Sequence, residues 1–140
     1  MKIRNDFVTN SSSSNYVIAF KNEMNNGDST IDRLNRISQT LLDHCDYYET
    51  ESAEYFKSID SLLGYLHDRF YDDFTLDDLL DNYYCGDNRH EYTVDDLKNY
   101  LENGYVIAIK KVSNHDELTK DLIYLFNETN DHFVLLNSFE

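Results

Sequence analysis

Chemistry-bearing side chains are abundant in this sequence, but few stand at the spacing that a given reaction or ligand needs. A phosphate cradle needs neighbouring glycines whose amides can approach the anion, and Gly27, Gly64, Gly86 and Gly104 are isolated from one another. A calcium loop of the D-x-[DN]-x-[DN]-G type aligns best on Asp81, Tyr83, Cys85 and Gly86, which lacks two of the three early oxygen ligands. Cys85 and His90 are separated by Gly86-Asp87-Asn88-Arg89 with no second Cys/His pair at metal-binding spacing, because His44 and Cys45 are adjacent, so no structural zinc is expected. Adjacent helical residues point in different directions, and His44-Cys45 is therefore no nucleophile and base pair. No metal, cofactor or catalytic residue is assigned; an enzyme of unrecognised type would need histidines and carboxylates brought together by the fold.

What stands out is acid interleaved with tyrosine. The chain carries 27 Asp and Glu against 12 Lys and Arg, a net charge of −15. Residues 41–102 hold 17 of those acids against 4 bases, whereas the segments before and after have net charges of only +1 and −3. Ten of the 12 tyrosines lie between Tyr47 and Tyr105. Carboxylates attract the lysines and arginines of a basic groove, and tyrosines add rigid contact area with a hydrogen-bonding tip. The candidate partner-binding face is accordingly Asp72, Asp73, Asp77, Asp78, Asp81, Tyr83, Tyr84, Asp87, Glu91, Tyr92, Asp95 and Asp96. The bland alternative is a solvated helix surface with some tyrosines filling the core beside Leu79, Leu80 and Leu97. Helix-end electrostatics accounts for Asp77, Asp78, Asp95 and Asp96, at about 0.3 to 1 kcal/mol each, and less well for the others.

These residues must be positioned by elements legible from periodicity. Tyr16 to Phe20 reads as a buried first strand, and Ile31, Leu34, Ile37, Leu41 and Cys45 as the inward stripe of a first helix opened by Ser29 with Asp32. Phe56, Ile59, Leu63, Leu66 and Phe70 mark a second helix from about Ser52 to Phe70. Thr75-Leu76-Asp77-Asp78-Leu79 recurs 18 positions later as Thr93-Val94-Asp95-Asp96-Leu97, and both read as helix starts with threonine caps, the second helix ending at Asn103-Gly104. Tyr105 to Val112 is a second strand, Asn114 with Glu117 caps a helix carrying Leu118, Leu122, Leu125 and Phe126, and His132 to Phe139 is a third strand. The expected class is α+β, or an α/β layer: one domain over residues 1–140, with a small three-stranded sheet covered by about five helices and the acidic helices inserted between strands one and two. The closing β-α-β permits either a parallel crossover or an antiparallel return.

At 41% hydrophobic and 14% aromatic the chain has enough apolar surface to fold, and its acidity disfavours direct binding to nucleic acid or anionic lipid. No apolar run approaches the roughly 20 residues of a membrane span, the basic start lacks the apolar stretch of a secretion signal, and two cysteines read as reduced thiols in a cytoplasm.

The opening MKIRNDFVTNSSSSNYVIAF resembles the start of many uncharacterised small proteins of bacteriophages, prophages and their bacterial hosts, the match resting on Lys2, Arg4, Phe7, Val8, Asn10 and Ser11 to Ser14. Asn15 and Tyr16 depart from that pattern, which has a further serine and a phenylalanine, and the likeness covers residues 1–20 alone. It implies a mobile-element setting, hence the cytoplasm of a bacterial host, and carries over no site residue. Together with the acidic centre it leads to the expectation of an inhibitor of anti-CRISPR or anti-restriction type. Such a protein would mimic nucleic acid in the basic groove of a host defence protein, in particular a nuclease, and catalyse nothing. The alternatives are an accessory protein–protein interaction module using an apolar helix face, or the unrecognised enzyme.

Overall fold

Tyr16 to Phe20 is an unbroken apolar run because the strand it forms is covered on both faces, as central strands between two helical layers are. The computed structural model describes residues 13–23, 29–46, 49–81 and 91–139. Its elements are β1 (Ser13–Phe20), α1 (Thr30–Asp43), β2 (Glu54–Phe56), α2 (Ile59–Arg69), α3 (Leu76–Leu79), α4 (Val94–Glu102), β3 (Val106–Ser113), α5 (Glu117–Thr129) and β4 (Phe133–Phe139).

The class is α+β with five helices, but the sheet has four strands, not three. The additional strand, β2, comes from residues read as the start of the second helix. Phe56 and Ile59 fit a helical stripe by their spacing, yet Ser58 caps the helix by accepting from the Ser61 amide, and the three residues before the cap region pair with β3 through Phe56 and Ile107. Strand order is β2-β3-β1-β4 with every neighbouring pair antiparallel. It follows that β3 and β4 run the same way with β1 between them, and β1 and β2 the same way with β3 between them. This interleaving of two crossovers is the β-α-β-β-α-β, or split β-α-β, arrangement. The three helices α2–α4 are an insertion in its β2–β3 connection, so the acidic helices lie between the second and third strands.

Side chains alternate across the sheet. Tyr16, Ile18, Phe20, Ala108, Val112, Phe133 and Leu135 pack with Leu41, Leu42, Ile123 and Phe126 of α1 and α5. Val17, Ala19, Phe56, Ile107, Ile109 and Leu136 pack with Leu62, Leu66, Leu79 and Leu97 of α2–α4. The inserted helices therefore cover the face that the six-element frame leaves open. Asn137 of β4 ties them down, its side-chain amide donating to the carbonyls of Leu79 at 2.8 Å and Asp81 at 3.1 Å.

Two local expectations fail. On α1 the residues turned inward are Asp32, Asn35, Ser38, Leu41 and Leu42, whereas Ile31 and Ile37 are 49% and 53% exposed and Cys45 lies past the helix, exposed. The helix is rotated by about one residue, or about 100°, from the apolar stripe. A buried polar network sets that rotation: Asn35 contacts His132 Nδ1 at 3.0 Å, and Asn130 donates to the Asn35 oxygen at 3.1 Å and to the Ser38 hydroxyl at 3.2 Å. On α5 the cap is Asp116, accepting from the Thr119 amide at 3.1 Å, and not Asn114.

The near-repeat behaves as expected. Thr75 and Asp78, and likewise Thr93 and Asp96, form reciprocal capping boxes in which the hydroxyl accepts from the aspartate amide and the carboxylate accepts from the threonine amide at 3.0 and 2.8 Å. Ser29 accepts from the Asp32 amide, and Gly104 takes the left-handed cap conformation at φ +90°, as its place after α4 requires. Thr75→Ala and Thr93→Ala are each expected to lower the unfolding free energy by about 1 kcal/mol. Asp77→Asn and Asp95→Asn, with no reciprocal bond to lose, should cost about half as much or less; urea denaturation of the four variants measures the contrast.

Candidate functional site

Two places on the described structure gather chemistry-bearing side chains. The first is the inserted layer. Across residues 57–81 and 91–105 there are eleven acids against Lys57, Arg69 and Lys98, and nine of the eleven are exposed. The other layer is acidic too, with eight acids against three bases over residues 29–46 and 114–132, so the field is stronger on the inserted side but not confined to it. Asp72 and Asp73 lie exposed in the turn after α2, Asp77 on α3, Asp81 just after it, Glu91 before α4 and Asp95 on α4. Arg69 is drawn to Glu51 at 3.5 Å, and Asp72, Asp73, Asp77 and Asp95 enter no ion pair among the described residues. Asp78 and Asp96 are half-buried and held by their capping boxes.

Tyr92 is half-buried and faces Tyr100 at 6.5 Å, so it serves the packing of α4 as much as any surface. Burial, with Asp96 nearby, pushes its phenol up, and burial with Tyr92, Tyr105 and Asp96 does the same to Tyr100; both stay neutral hydrogen-bonding groups. Tyr100 and Tyr105, 4.9 Å apart edge to face, line an open depression with Asp96, Asn99 and Asn103. Tyr83, Tyr84 and Asp87 of the candidate face lie outside the described residues, as do Cys85 and His90.

The second place is at the opposite layer, where the end of α1 meets the start of α5. Lys110 of β3 points into the α1–α5 side of the sheet and is fully buried. Its Nζ donates to the carbonyls of Leu42 at 3.0 Å, His44 at 2.6 Å and Glu51 at 2.8 Å, which uses all three ammonium hydrogens. It thus places a positive charge at the C-terminus of α1, whose own last turn has no basic residue. Burial pushes its pKa down to about 8, although Asp116, Asp43, Cys45 and Asp46 pull the other way.

Beside it, Thr50 links two carboxylates. Its amide donates to Asp46 Oδ1 at 3.2 Å and its hydroxyl to Asp116 Oδ2 at 2.9 Å, while the Ser113 amide donates to that hydroxyl at 3.0 Å. Burial works against ionisation of Asp116, but the Thr119 amide and hydroxyl, the Thr50 hydroxyl and nearby His44 outweigh it and hold the carboxyl below its ordinary range. His44, Asp46 and Asp116 bring one ligand atom each to within 4.8 Å of one another. Sequence reasoning missed this group because Asp116 stands seventy positions beyond Asp46. It missed Lys110 although the strand alternation Ala108, Lys110, Val112 marks it as inward-facing.

No protein family, curated protein or solved structure matches the chain. Among the described residues no helix is long and apolar enough to cross a membrane.

Lys110→Met leaves three carbonyls without their donor and is expected to lower stability by about 3 kcal/mol. The lysine also gives the fold a pH signature. Between its folded pKa of about 8 and the ordinary lysine value of 10.5, the unfolded chain holds a proton that the folded chain has released. Stability therefore rises with pH through that window, by up to about 1.4 kcal/mol per pH unit. Urea midpoints taken from pH 8 to 10 should climb for the native chain relative to Lys110→Met, whose profile carries only the other groups, the raised phenols of Tyr92 and Tyr100 among them; profiles that run parallel would show the lysine titrating normally.

Proposed function

We propose that the protein acts by binding, presenting the acidic α2–α4 layer to the basic nucleic-acid groove of a partner protein and competing there with DNA or RNA. The observation that carries this reading is the four exposed carboxylates of Asp72, Asp73, Asp77 and Asp95, which have no ion-pair partner among the described residues. Groove lysines and arginines would meet them where they otherwise meet phosphates. Support also comes from topology. The layer is an insertion into a β-α-β-β-α-β frame, the kind of addition by which a common scaffold acquires a site of its own. With the resemblance of residues 1–20 to phage and prophage proteins, the reading becomes an inhibitor of anti-CRISPR or anti-restriction type, with a basic nuclease of the bacterial host as target, acting in the host cytoplasm without catalysis.

One observation favours a second reading, an interaction module led by apolar contact. Leu118 and Leu125 of α5 are 70% and 50% exposed, and Ile31 and Ile37 of α1 are exposed on the same side of the sheet.

Salt and charge separate the two. A host nuclease captured at low salt should be released as ionic strength rises and be displaced by duplex DNA. The combined variant Asp72→Lys, Asp73→Lys, Asp77→Lys and Asp95→Lys, which spares both capping boxes, should weaken capture at least tenfold with circular dichroism unchanged. Capture that is indifferent to salt and to this variant, but lost in Leu118→Asp with Leu125→Asp, would replace the acidic reading by the apolar one.

A further inference from the structure

We propose that His44, Asp46 and Asp116 form a binding site for one divalent cation of the zinc class, pinning the end of α1 to the start of α5. One imidazole nitrogen and two carboxylate oxygens are donors that suit Zn²⁺ and its transition-metal neighbours, whereas Mg²⁺ and Ca²⁺ prefer oxygen alone. The three ligand atoms already lie within 4.8 Å of one another. A tetrahedral ion with bonds of 2.0–2.1 Å needs them about 3.4 Å apart. His44 and Asp46 are exposed, so a small adjustment of these two side chains, with Asp46 keeping its bond from the Thr50 amide, closes the difference without moving the core.

Asp116 is the fixed ligand. A carboxylate offers about four lone-pair positions. The Thr119 amide takes one on Oδ1, and the hydroxyls of Thr50 and Thr119 both bond Oδ2, at 2.9 and 2.8 Å, leaving Oδ1 able to accept a cation. The same hydroxyls hold the carboxylate in orientation, as outer partners of metal ligands do. Asp46 is set by the exchange of its amide with the Thr50 carbonyl at 3.1 Å and of the Thr50 amide with its carboxylate. The backbone of His44 is held by Lys110. Two carboxylates offset the charge of the ion, and three protein ligands leave a fourth position to water, so the bound ion is a cross-link between two helix ends that keeps one open coordination place.

Zn²⁺ is titrated calorimetrically into the metal-free full-length chain, and Co²⁺ is used for its visible spectrum. One ion per chain is expected, with a rise in melting temperature on binding. His44→Ala and Asp46→Asn should each weaken binding at least tenfold, and Thr50→Val by about tenfold through the orientation of Asp116. His115→Ala, a change to the neighbouring exposed histidine, should leave affinity unaltered. Equal binding by the native chain and His44→Ala would overturn the site in favour of diffuse attraction to an acidic surface. Loss of binding only in Cys85→Ser or His90→Ala would overturn it in favour of a different ligand set, and absence of binding at millimolar Zn²⁺ would overturn it outright.

Discussion

The ammonium of Lys110 is the constraint around which one side of this molecule is arranged. A lysine buried on the sheet would be severely destabilising without partners, and here three carbonyls supply them. Those carbonyls come from Leu42 and His44 at the end of α1 and from Glu51 just before β2. A single side chain on β3 therefore fixes where the first helix stops and where the chain turns back toward the sheet edge. The extended backbone of His44 at the helix end, with its own amide bonded to Leu41, follows from the same demand. Thr50 lies one residue before Glu51, so the position of the hydroxyl that joins Asp46 to Asp116 is inherited from this arrangement.

A second polar constraint acts at the other end of α1. Hydrophobic spacing alone favours burying Ile31 and Ile37, yet the helix buries Asp32, Asn35 and Ser38. The Asn35, Ser38, Asn130 and His132 network explains the preference. Its amides and ring nitrogens need partners once covered, and they find them in one another and in the Glu23 carbonyl, bonded by Asn35 at 3.1 Å. Rotating the helix to bury isoleucine would leave Asn130, itself nearly inaccessible beneath α1, with an unmade bond. The polar requirement outweighs the apolar one, and two isoleucines remain in water as the consequence.

This separates what the sequence made legible from what it did not. Local rules worked where both partners of an interaction lie within one turn: the capping boxes at Thr75 and Thr93, the Ser29 cap and the glycine stop at Gly104 were readable as printed. Apart from the α5 cap, which falls on Asp116 and not on Asn114, they failed where the partner is distant. The residues of β2 read as helix because the backbone bonds that make them a strand come from β3, some fifty residues later, and their one buried aromatic suits either period. The face of α1 was misjudged because Asn130 and His132, far along the chain, decide it. His44, Asp46 and Asp116 went unnoticed for the same reason. The acidic residues of the inserted layer are legible as composition, but only the fold divides them into those that cap helices and those that do not.

That division bears on what the acidic layer is for. Asp78 and Asp96 are accounted for by stability, since each satisfies a backbone amide that would otherwise go unpaired at a helix start. The same account does not extend to Asp72, Asp73, Asp81 and Glu91, which lie outside the helices, and Asp77 and Asp95 gain from the helix dipole only what any first-turn acid gains. Beneath them Leu62, Leu66, Leu79 and Leu97 pack on the sheet with essentially no exposure. The layer is therefore held by its apolar underside and by the Asn137 amide, and the carboxylates of Asp72, Asp73, Asp77 and Asp95 take no part in that packing. Charge uncoupled from the core in this way adds self-repulsion to a chain already at −15. Stability alone gives no reason to concentrate it on an insertion, whereas the basic partner proposed above would supply one.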